Sequence, residues 1–463
     1  MSGTGAIYSQ TQFAIRQWSA TLTRLFEQGA SGARVIRASD GPVAAYRILG
    51  LRDTQLSVGA YRDNVAEVNR RLDNVHAGLT ELDDLLSRAR VLLSQGAAGT
   101  MSQTGRVPIA GEIDAILEQA VMLANGSDLG RYYFSGSDTL TQPYKVVREN
   151  GKIVSVEYVG GRLNTDVPVA PGVRTSGTMV GDTVFRGQGG GVPSFYGTTG
   201  LAAGAGTASL RGDAWLTLTH DTTSFGPASG LSAGSGSAGG DTILGDHRVT
   251  IDAVARTVQL DDGPAVAFDG SETNLQLTSA AGDVLYVDFT GWSGQDGTFA
   301  VSATGWASLD DGLTRVPVTA GDGNLAVTDS RSGQMLYLDA TSVQRVGVEP
   351  VRVEGSYDLF GVLINIRDLL LNDRGLSLTE QSDLLGLAER SLMEVFTGVA
   401  QNLAGLGAKM QMMDRLDASL KSTGDMAGTQ AAQLQDIDAI ALATDWPAPK
   451  PSTNSPSPVR RSC

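Results

Sequence analysis

Gly230-Leu231-Ser232-Ala233-Gly234 has the spacing of a nucleophile elbow, in which a sharp turn exposes a serine for acyl transfer. That chemistry needs a strand before the motif and a helix after it. Here the motif lies in a Gly/Ser tract, so the match reads as coincidence. His76, His220 and His247 are too far apart in sequence to suggest a ligand cluster, and His76 lies beside an apolar helical stripe as a solvated or packing residue. Asp288 and Asp339 occupy equivalent places in an internal repeat, which raises a metal site but fits strand or turn polarity better. Arg211-Gly212-Asp213 spells an adhesion tripeptide and reads as a turn. No H-E-x-x-H, Walker or G-x-G-x-x-G pattern stands in a usable context. The only cysteine is Cys463, so no internal disulfide or cysteine metal site is available. The chain reads as a non-enzyme with no cofactor and no metal.

The elements that would carry any site are organised by a stripe. Leu51, Val58, Val65, Leu72, Leu79, Leu86 and Leu93 recur at sevens, with Tyr61, Val68, Val75, Leu82 and Ala89 in the second apolar position. Six such heptads without proline make a helix of roughly 65 Å. One stripe on so long a rod needs a partner. Leu385, Leu392, Val399, Leu406, Met413 and Leu420 supply it at the far end of the chain, broadened by Ala388, Val395 and Leu403. The two segments read as halves of one antiparallel coiled-coil rod.

Around this rod the chain divides by composition. Tyr8, Thr11, Ile15, Trp18, Leu22 and Leu25 follow helical spacing over 8–28, ended by Gly29 to Gly32. Ser39-Asp40-Gly41-Pro42 gives a cap and an early proline for the long helix, which stops near Gln95. Ile109, Ile113, Ile116, Ala120 and Leu123 carry a third helix, closed at Asn125-Gly126. From Arg131 alternating runs such as Ile153–Tyr158 predict strands. Residues 187–245 read as flexible Gly/Ser loop with a strand-like island at Trp215–His220. Asn274–Thr278 with Leu285–Thr290 is repeated about fifty residues on as Asn324–Thr328 with Leu336–Thr341, which predicts a duplicated β unit. Leu359, Leu363, Ile366 and Leu370 return to helix, and a last helix runs from Thr379 to Asp445 with a weak point near Gly424. Five prolines between Pro447 and Pro458 predict a disordered tail. The fold class expected is α+β.

Composition bounds the function. The 463 residues suffice for two or three domains, and a net charge of −15 without a basic patch argues against nucleic acid and anionic membranes. No apolar run of eighteen residues suggests a membrane span, and Met1 to Gln12 lacks the layout of a cleaved signal. Helix 8–28 shows Tyr8, Phe13, Trp18, Leu22, Leu25 and Phe26 with little neighbouring core to cover them. Such a surface points to a partner.

Several ordered motifs resemble the bacterial flagellin family, in its hook-associated branch. Leu22-Thr23-Arg24-Leu25, Gly32-Ala33-Arg34-Val35 and Ala38-Ser39-Asp40-Gly41-Pro42 are similar to its N-terminal signature, with Gly41 where a second Asp is usual. Asn64, Glu112-Ile113, Arg131–Thr139 followed by Pro143-Tyr144, Leu406–Met410, Arg415-Leu416 and Asp436–Asp438 are similar to further family positions. The resemblance covers roughly 8–185 and 355–445. It implies a subunit of the flagellar axial structure at the hook–filament junction, exported by the flagellar type III route without signal cleavage. The implied partners are a hook-associated protein, flagellin, further copies in a ring and an export chaperone. Tyr8, Ile15, Trp18, Leu22, Leu25 and Phe26 would then pack between subunits, and Leu51 through Met413 would form the intrachain seam. The implied domains are an inner-core helix (1–38), a rod in two parts (39–140 and 356–422), an outward β domain (141–355), a truncated inner-core helix (423–445) and a tail (446–463). The loss of heptads after Ala441 implies an incomplete inner-core pair. A filament flagellin is the alternative within the family, and a secreted adhesin-like β module on a coiled-coil stalk is the alternative outside it.

Overall fold

The computed structural model describes residues 3–437 and residue 440; the prolines from Pro447 to Pro458, Asp438, Asp445 and Cys463 lie outside the described residues. The fold is α+β. Long helices stand near both ends, α1 (Gly3–Ser31), α2 (Pro42–Gly96), α3 (Gln103–Ala124) and α7 (Leu378–Gln435), and strands dominate between them. Helix α1 extends beyond the expected 8–28, because Gly29 continues the helix and Gly32, with φ of 67°, is where the backbone turns out of it. Pro42 opens α2 at the first helical position, where its missing N–H costs nothing. Asp40 does not cap α2. It lies two residues before Pro42, and its carboxylate turns back to accept the N–H groups of Ile36 at 3.2 Å and Arg37 at 2.8 Å. That closes a 3-10 turn over Ala38–Asp40, and the Gly41 carbonyl takes the first bond of α2 from Ala45.

The chain divides into two compact units. The first draws on Met1–Arg70, Val167–Thr175 and Lys409–Cys463, as far as these are described. In it α2 and α7 run antiparallel, as the pairs Arg52–Gln435, Arg62–Asp417 and Asn69–Asp414 show. Val58, Val65, Val68, Met413 and Leu420 are buried between them. Gly424 does not weaken α7. A Cβ there would stand 3.3 Å from Val58, so glycine lets the two helices approach closely. Helix α7 ends at Gln435, ten residues before the expected Asp445. Its chain leaves to pair with the end of α1, where Arg34 N–H donates to the Gln435 carbonyl and Ile437 N–H to the Gly32 carbonyl. A hairpin of β5 (Asp166–Ala170) and β6 (Val173–Ser176) is met by the Asn64 amide, which donates to the Pro168 carbonyl at 2.8 Å.

The second unit comprises Arg71–Asp166 and Ser176–Ala408. Its helical part adds α6 (Leu359–Leu371), capped by Asp358, whose carboxylate accepts from Phe360 and Gly361 at 3.0 Å, and closed by Asn372 in the left-handed region. Leu72, Leu79, Leu86 and Leu93 of α2, Ile113 and Leu117 of α3, Leu363 and Ile366 of α6, and Leu385, Leu392 and Val399 of α7 are all buried. Arg106 ties three of these helices from inside, donating to the Gly96 carbonyl at 2.9 Å and to the Gln381 side chain. Two short hairpins follow α3: β1 (Ser127–Asp128) with β2 (Arg131–Tyr132), and β3 (Tyr144–Glu149) with β4 (Lys152–Tyr158).

The rest of the second unit is a β domain. Its main sheet runs in the order β13 (Val266–Ala267), β12 (Thr257–Leu260), β11 (Gly245–Asp252), β16 (Gly297–Ser308), β9 (Gly212–Phe225), β20 (Gly347–Val353), β7 (Ser194–Phe195), with β17 (Val316–Val318) added along β16. Residues 187–245 are not the flexible loop expected. The island at Trp215–His220 is part of the fourteen-residue β9, and Leu201, Leu210, Leu231, Ile243 and Leu244 are buried. Two three-stranded sheets carry the duplicated unit: β10 (Ser232–Ala233) beside β15 (Val284–Asp288) and β14 (Leu275–Thr278), and β8 (Ala202–Ala203) beside β19 (Met335–Asp339) and β18 (Leu325–Thr328). Each has its own apolar core, one around Leu277, Leu285 and Val287, the other around Val327, Leu336 and Leu338.

Candidate interaction surface

The residues with chemical potential turn out to be structural. Ser232 is exposed on β10, opposite Asp288 of β15, and Ala233 beside it pairs with Val287. The strand is followed by the single turn Ser237–Gly240, not by the helix an elbow requires. Asp288 Oδ1 accepts from the backbone and hydroxyl of Thr290, and Asp339 Oδ1 does the same with Thr341, so each closes a turn after its strand. These bonds hold both carboxyls below the usual range. Among the described residues no group of three His, Cys, Asp or Glu is placed to hold a metal. His76 lies on α2 and accepts at its carbonyl from Thr80. His247 sets its two ring nitrogens against Asp261 and the Gln344 carbonyl, each at 2.8 Å. His220 Nε2 meets Thr223 Oγ1 at 2.8 Å, and that hydroxyl donates to Asp241, so Nε2 carries the proton. Its Nδ1 is buried without a partner, and burial pushes the ring below its ordinary pKa.

Arg211-Gly212-Asp213 cannot display an adhesion tripeptide, because Gly212 and Asp213 open β9 and the Asp213 side chain is buried. Arg352 of β20 donates to Asp213 at 3.0 Å and to Tyr357 and Ser391 at 2.7 Å. Asn365 of α6 and Ser391 of α7 donate to the other Asp213 oxygen. Burial outweighs these partners and holds the Asp213 carboxyl above the ordinary range. This polar joint between the β domain and its helices was not legible beforehand, since its members are scattered from 213 to 391. A nearby cleft of about 400 Å³ is crossed by the ion pairs of Arg331 with Glu149 and Asp311, and Arg374 covers the Trp215 ring at 4.6 Å.

A second missed feature had a signal. Gly200-Leu201-Ala202-Ala203-Gly204-Ala205-Gly206 and Gly230-Leu231-Ser232-Ala233-Gly234-Ser235-Gly236 are the same motif thirty residues apart. Both first glycines have positive φ, and a Cβ on either would run into a carbonyl, Ser342 for Gly200 and Gly291 for Gly230. Ala202 pairs with Asp339 as Ser232 pairs with Asp288, and Asn324 and Asn274 accept from Gly206 and Gly236. The apparent nucleophile elbow is therefore the opening strand of the repeated unit that contains β14 and β15.

What remains is apolar surface. On α1, Tyr8 is 70% exposed, Phe13 69%, Ile15 63%, Trp18 61% and Phe26 60%; Leu22 is half-buried and Leu25 buried. Val43, Tyr46, Leu49 and Leu56 continue the exposed apolar series on the first turns of α2, while Leu51 is half-buried. A run of aromatic and aliphatic side chains in water across two helices of one unit is the geometry of a contact surface.

Residues 3–139 match the family described as the bacterial flagellin N-terminal helical region. The flagellar hook-associated protein 3 of Escherichia coli K12 is 29% identical over 159 residues, which are 34% of this chain and 48% of that protein. The protein of the same name from Salmonella typhimurium is 28% identical over 142 residues, 30% of this chain and 45% of that one. The chain thus spans about half the length of the curated relatives it matches. Among solved structures, Xanthomonas campestris FlgL aligns at a TM-score of 0.41 and 19% identity, over 82% of this chain and 97% of that one. Flagellar hook-associated protein 3 of Legionella pneumophila aligns at 0.45 and 14%, over 84% and 98%. The N-terminal third is thus similar to the flagellin N-terminal helical region, and about a third of the chain is similar in sequence to flagellar hook-associated protein 3 of two bacteria.

Proposed function

We propose that this chain is a structural, non-enzymatic subunit of the bacterial flagellum, the adapter between hook and filament. The observation that carries the reading is that the flagellin-type region, 3–139, includes the helix whose Tyr8, Phe13, Ile15 and Trp18 stand in water. A polymer subunit needs such a face before assembly and buries it afterwards. Tyr8, Ile15, Trp18 and Phe26, with half-buried Leu22, form the packing surface, whereas Leu25 is already buried within the chain; the seam from Leu51 to Leu93 with Leu385 to Met413 holds the long helices α2 and α7 together. Residues 1–38 and 423–445 belong to the inner core, 39–140 and 356–422 to the rod, and 141–355 to the outward domain. The partners are a hook-associated protein on one side, flagellin on the other, further copies in a ring and an export chaperone. The subunit reaches the cell exterior by the flagellar export route with no signal cleaved.

Immunogold labelling of flagellated cells that express the chain tests this. A narrow band at the hook–filament boundary is expected. Label along the whole filament would make it a filament flagellin, and absence of label from flagella would refute an axial role.

A further inference from the structure

Asn-Gly occurs twice in the chain, at Asn125-Gly126 and Asn150-Gly151. The pair is reactive, because glycine puts no side chain between its backbone nitrogen and the preceding carboxamide. Attack by that nitrogen on the asparagine Cγ closes a five-membered succinimide and expels ammonia. Water then opens the ring at one carbonyl to give aspartate, or at the other to give isoaspartate. The structure treats the two pairs in opposite ways. Asn125 closes α3 and is half-buried; its Nδ2 donates to the Tyr144 carbonyl at 3.1 Å and its Oδ1 accepts from Tyr144 N–H at 2.9 Å. The Gly126 N–H is also engaged, donating to the Leu123 carbonyl at 3.0 Å. Asn150 and Gly151 are exposed at the tip of the β3–β4 hairpin, with φ of 51° and 83°, in the two-residue turn that favours this pair. Among the described residues, neither the Asn150 carboxamide nor the Gly151 N–H has a hydrogen-bond partner. Cyclisation needs this turn to open, and little backbone holds it. The ladder shifts register between Val147 and Arg148, so only the pairs Arg148↔Ile153 and Glu149↔Lys152 lie beyond the irregularity.

We propose that Asn150 is a self-modification site, at which the Gly151 nitrogen converts the side chain to isoaspartate and so loosens a tie between the hairpin and the β domain. The tie starts at the residue before the turn. Glu149 accepts from Arg331 at 2.9 and 3.2 Å, Arg331 also reaches Asp311 at 3.1 Å, and Asp311 takes Arg374 at 3.0 Å. Arg331 stands on the turn between β18 and β19, so the hairpin tip is linked through it to the outer repeat. The reaction balances with water alone: the side-chain nitrogen leaves as ammonia, one water is consumed, and no oxidant or enzyme takes part. Isoaspartate routes the main chain through the former side-chain carbon and adds one atom to the backbone. A two-residue turn joins paired strands at one fixed length, so the added atom disturbs the Glu149↔Lys152 pair and with it the position of the Glu149 carboxylate. The buried joint of Asp213 with Arg352 lies on other strands and is left intact. The conversion needs only water and time, so it records the age of the chain.

The test ages the purified full-length chain at mildly alkaline pH, folded and in denaturant. Peptide mapping by mass spectrometry reads loss of the amide, and enzymatic methylation reads isoaspartate. In the folded chain Asn150 should convert at least about tenfold faster than Asn125, which must first give up three hydrogen bonds. In denaturant the two rates should converge. Conversion of Asn150 no faster than Asn125 in the folded chain, or confined to the denatured one, would overturn the site. The loosening is read by amide exchange at Asp329 and Gly333, whose N–H groups close the turn that presents Arg331. Exchange there should quicken several-fold in the aged chain and stay unchanged in Asn150→Asp, which gains the charge without the added backbone atom. Unchanged exchange after ageing, or equal quickening in Asn150→Asp, would overturn the loosening by backbone extension.

Discussion

Replacing Arg352 by methionine removes the cation at the joint between β20, β9 and the helices while keeping most of the side-chain volume. Both members of the ion pair are inside, with side chains 6% and 7% exposed. Without Arg352, Asp213 keeps only the neutral donors Asn365 and Ser391 at 3.0 and 3.1 Å. Breaking a buried pair in this way costs about 3–5 kcal/mol, because one charge is left uncompensated. At 1.4 kcal/mol per tenfold, amide exchange at Leu216 and Leu218 of β9 should accelerate by roughly two to three and a half orders of magnitude, provided it reports opening of this joint. The pH dependence distinguishes the cause. Asp213 already sits above the ordinary carboxyl range through burial, and loss of Arg352 moves it further up. A folded carboxyl with a raised pKa binds its proton more tightly than the unfolded chain does. Its penalty is therefore full at neutral pH and is relieved as pH falls through the folded value toward the ordinary value near 4. Arg352→Met should regain protection between pH 7 and pH 5, and adding Asp213→Asn should restore most of it at pH 7. A cost under about 1 kcal/mol, or protection that worsens with acid in the single variant, would refute this account of the joint.

Three further outcomes follow from other residues. Gly59 on the exposed side of α2 has open space for 4 Å around the place a Cβ would take, so Gly59→Ala should stabilise by about 0.5–1 kcal/mol in thermal unfolding; Gly424→Ala, which meets Val58 at 3.3 Å, should lose that gain. His220 has a depressed folded pKa, so stability is unaffected above about pH 6.5 and falls as pH drops through the unfolded value; His220→Gln should flatten that slope in midpoints measured from pH 7 to pH 5. Trp18→Ala should change monomer stability by less than about 0.5 kcal/mol, because the ring is 61% exposed, yet reduce incorporation into flagella; equal incorporation would remove Trp18 from the packing surface.

The helices were legible because long heptad runs leave few alternatives. Leu72 to Leu93 at sevens, without proline, specify helix wherever they are placed, and Pro42 and Asn372 mark ends by backbone chemistry alone. Sequence reasoning failed where one residue type has two physical uses. Glycines between 187 and 245 read as flexibility, yet Gly200 and Gly230 are there because a side chain would strike a carbonyl. Gly424 read as a weak point and is a close approach to Val58. Asp40 read as a helix cap, but its side chain serves the turn before it. The exposed apolar face of α1 was visible as apolar spacing without a core to receive it.

The duplicated β unit explains how this chain carries so large a domain with so few apolar residues. The inner copy, from Gly230 to Trp292, is inserted where β9 turns toward β16, inside an outer copy that opens at Gly200 and closes at Asp339. Each copy closes its own core, around Leu285 in one and Leu336 in the other, so neither depends on the other for burial of its hairpin. The strands they share, β9 and β16, pair with each other from Phe225↔Val301 through Thr217↔Ser308, and Gly226 N–H still donates to the Ala300 carbonyl. At that level the two strands already form a ladder, which lower down shifts register once between Thr304 and Gly305, where Asp221 is the extra residue. An insertion there lengthens a hairpin without changing the register of anything beneath it. The joint at Asp213 and Arg352 lies at the opposite end of β9. The domain can therefore grow at its far end while its attachment to the helices stays fixed.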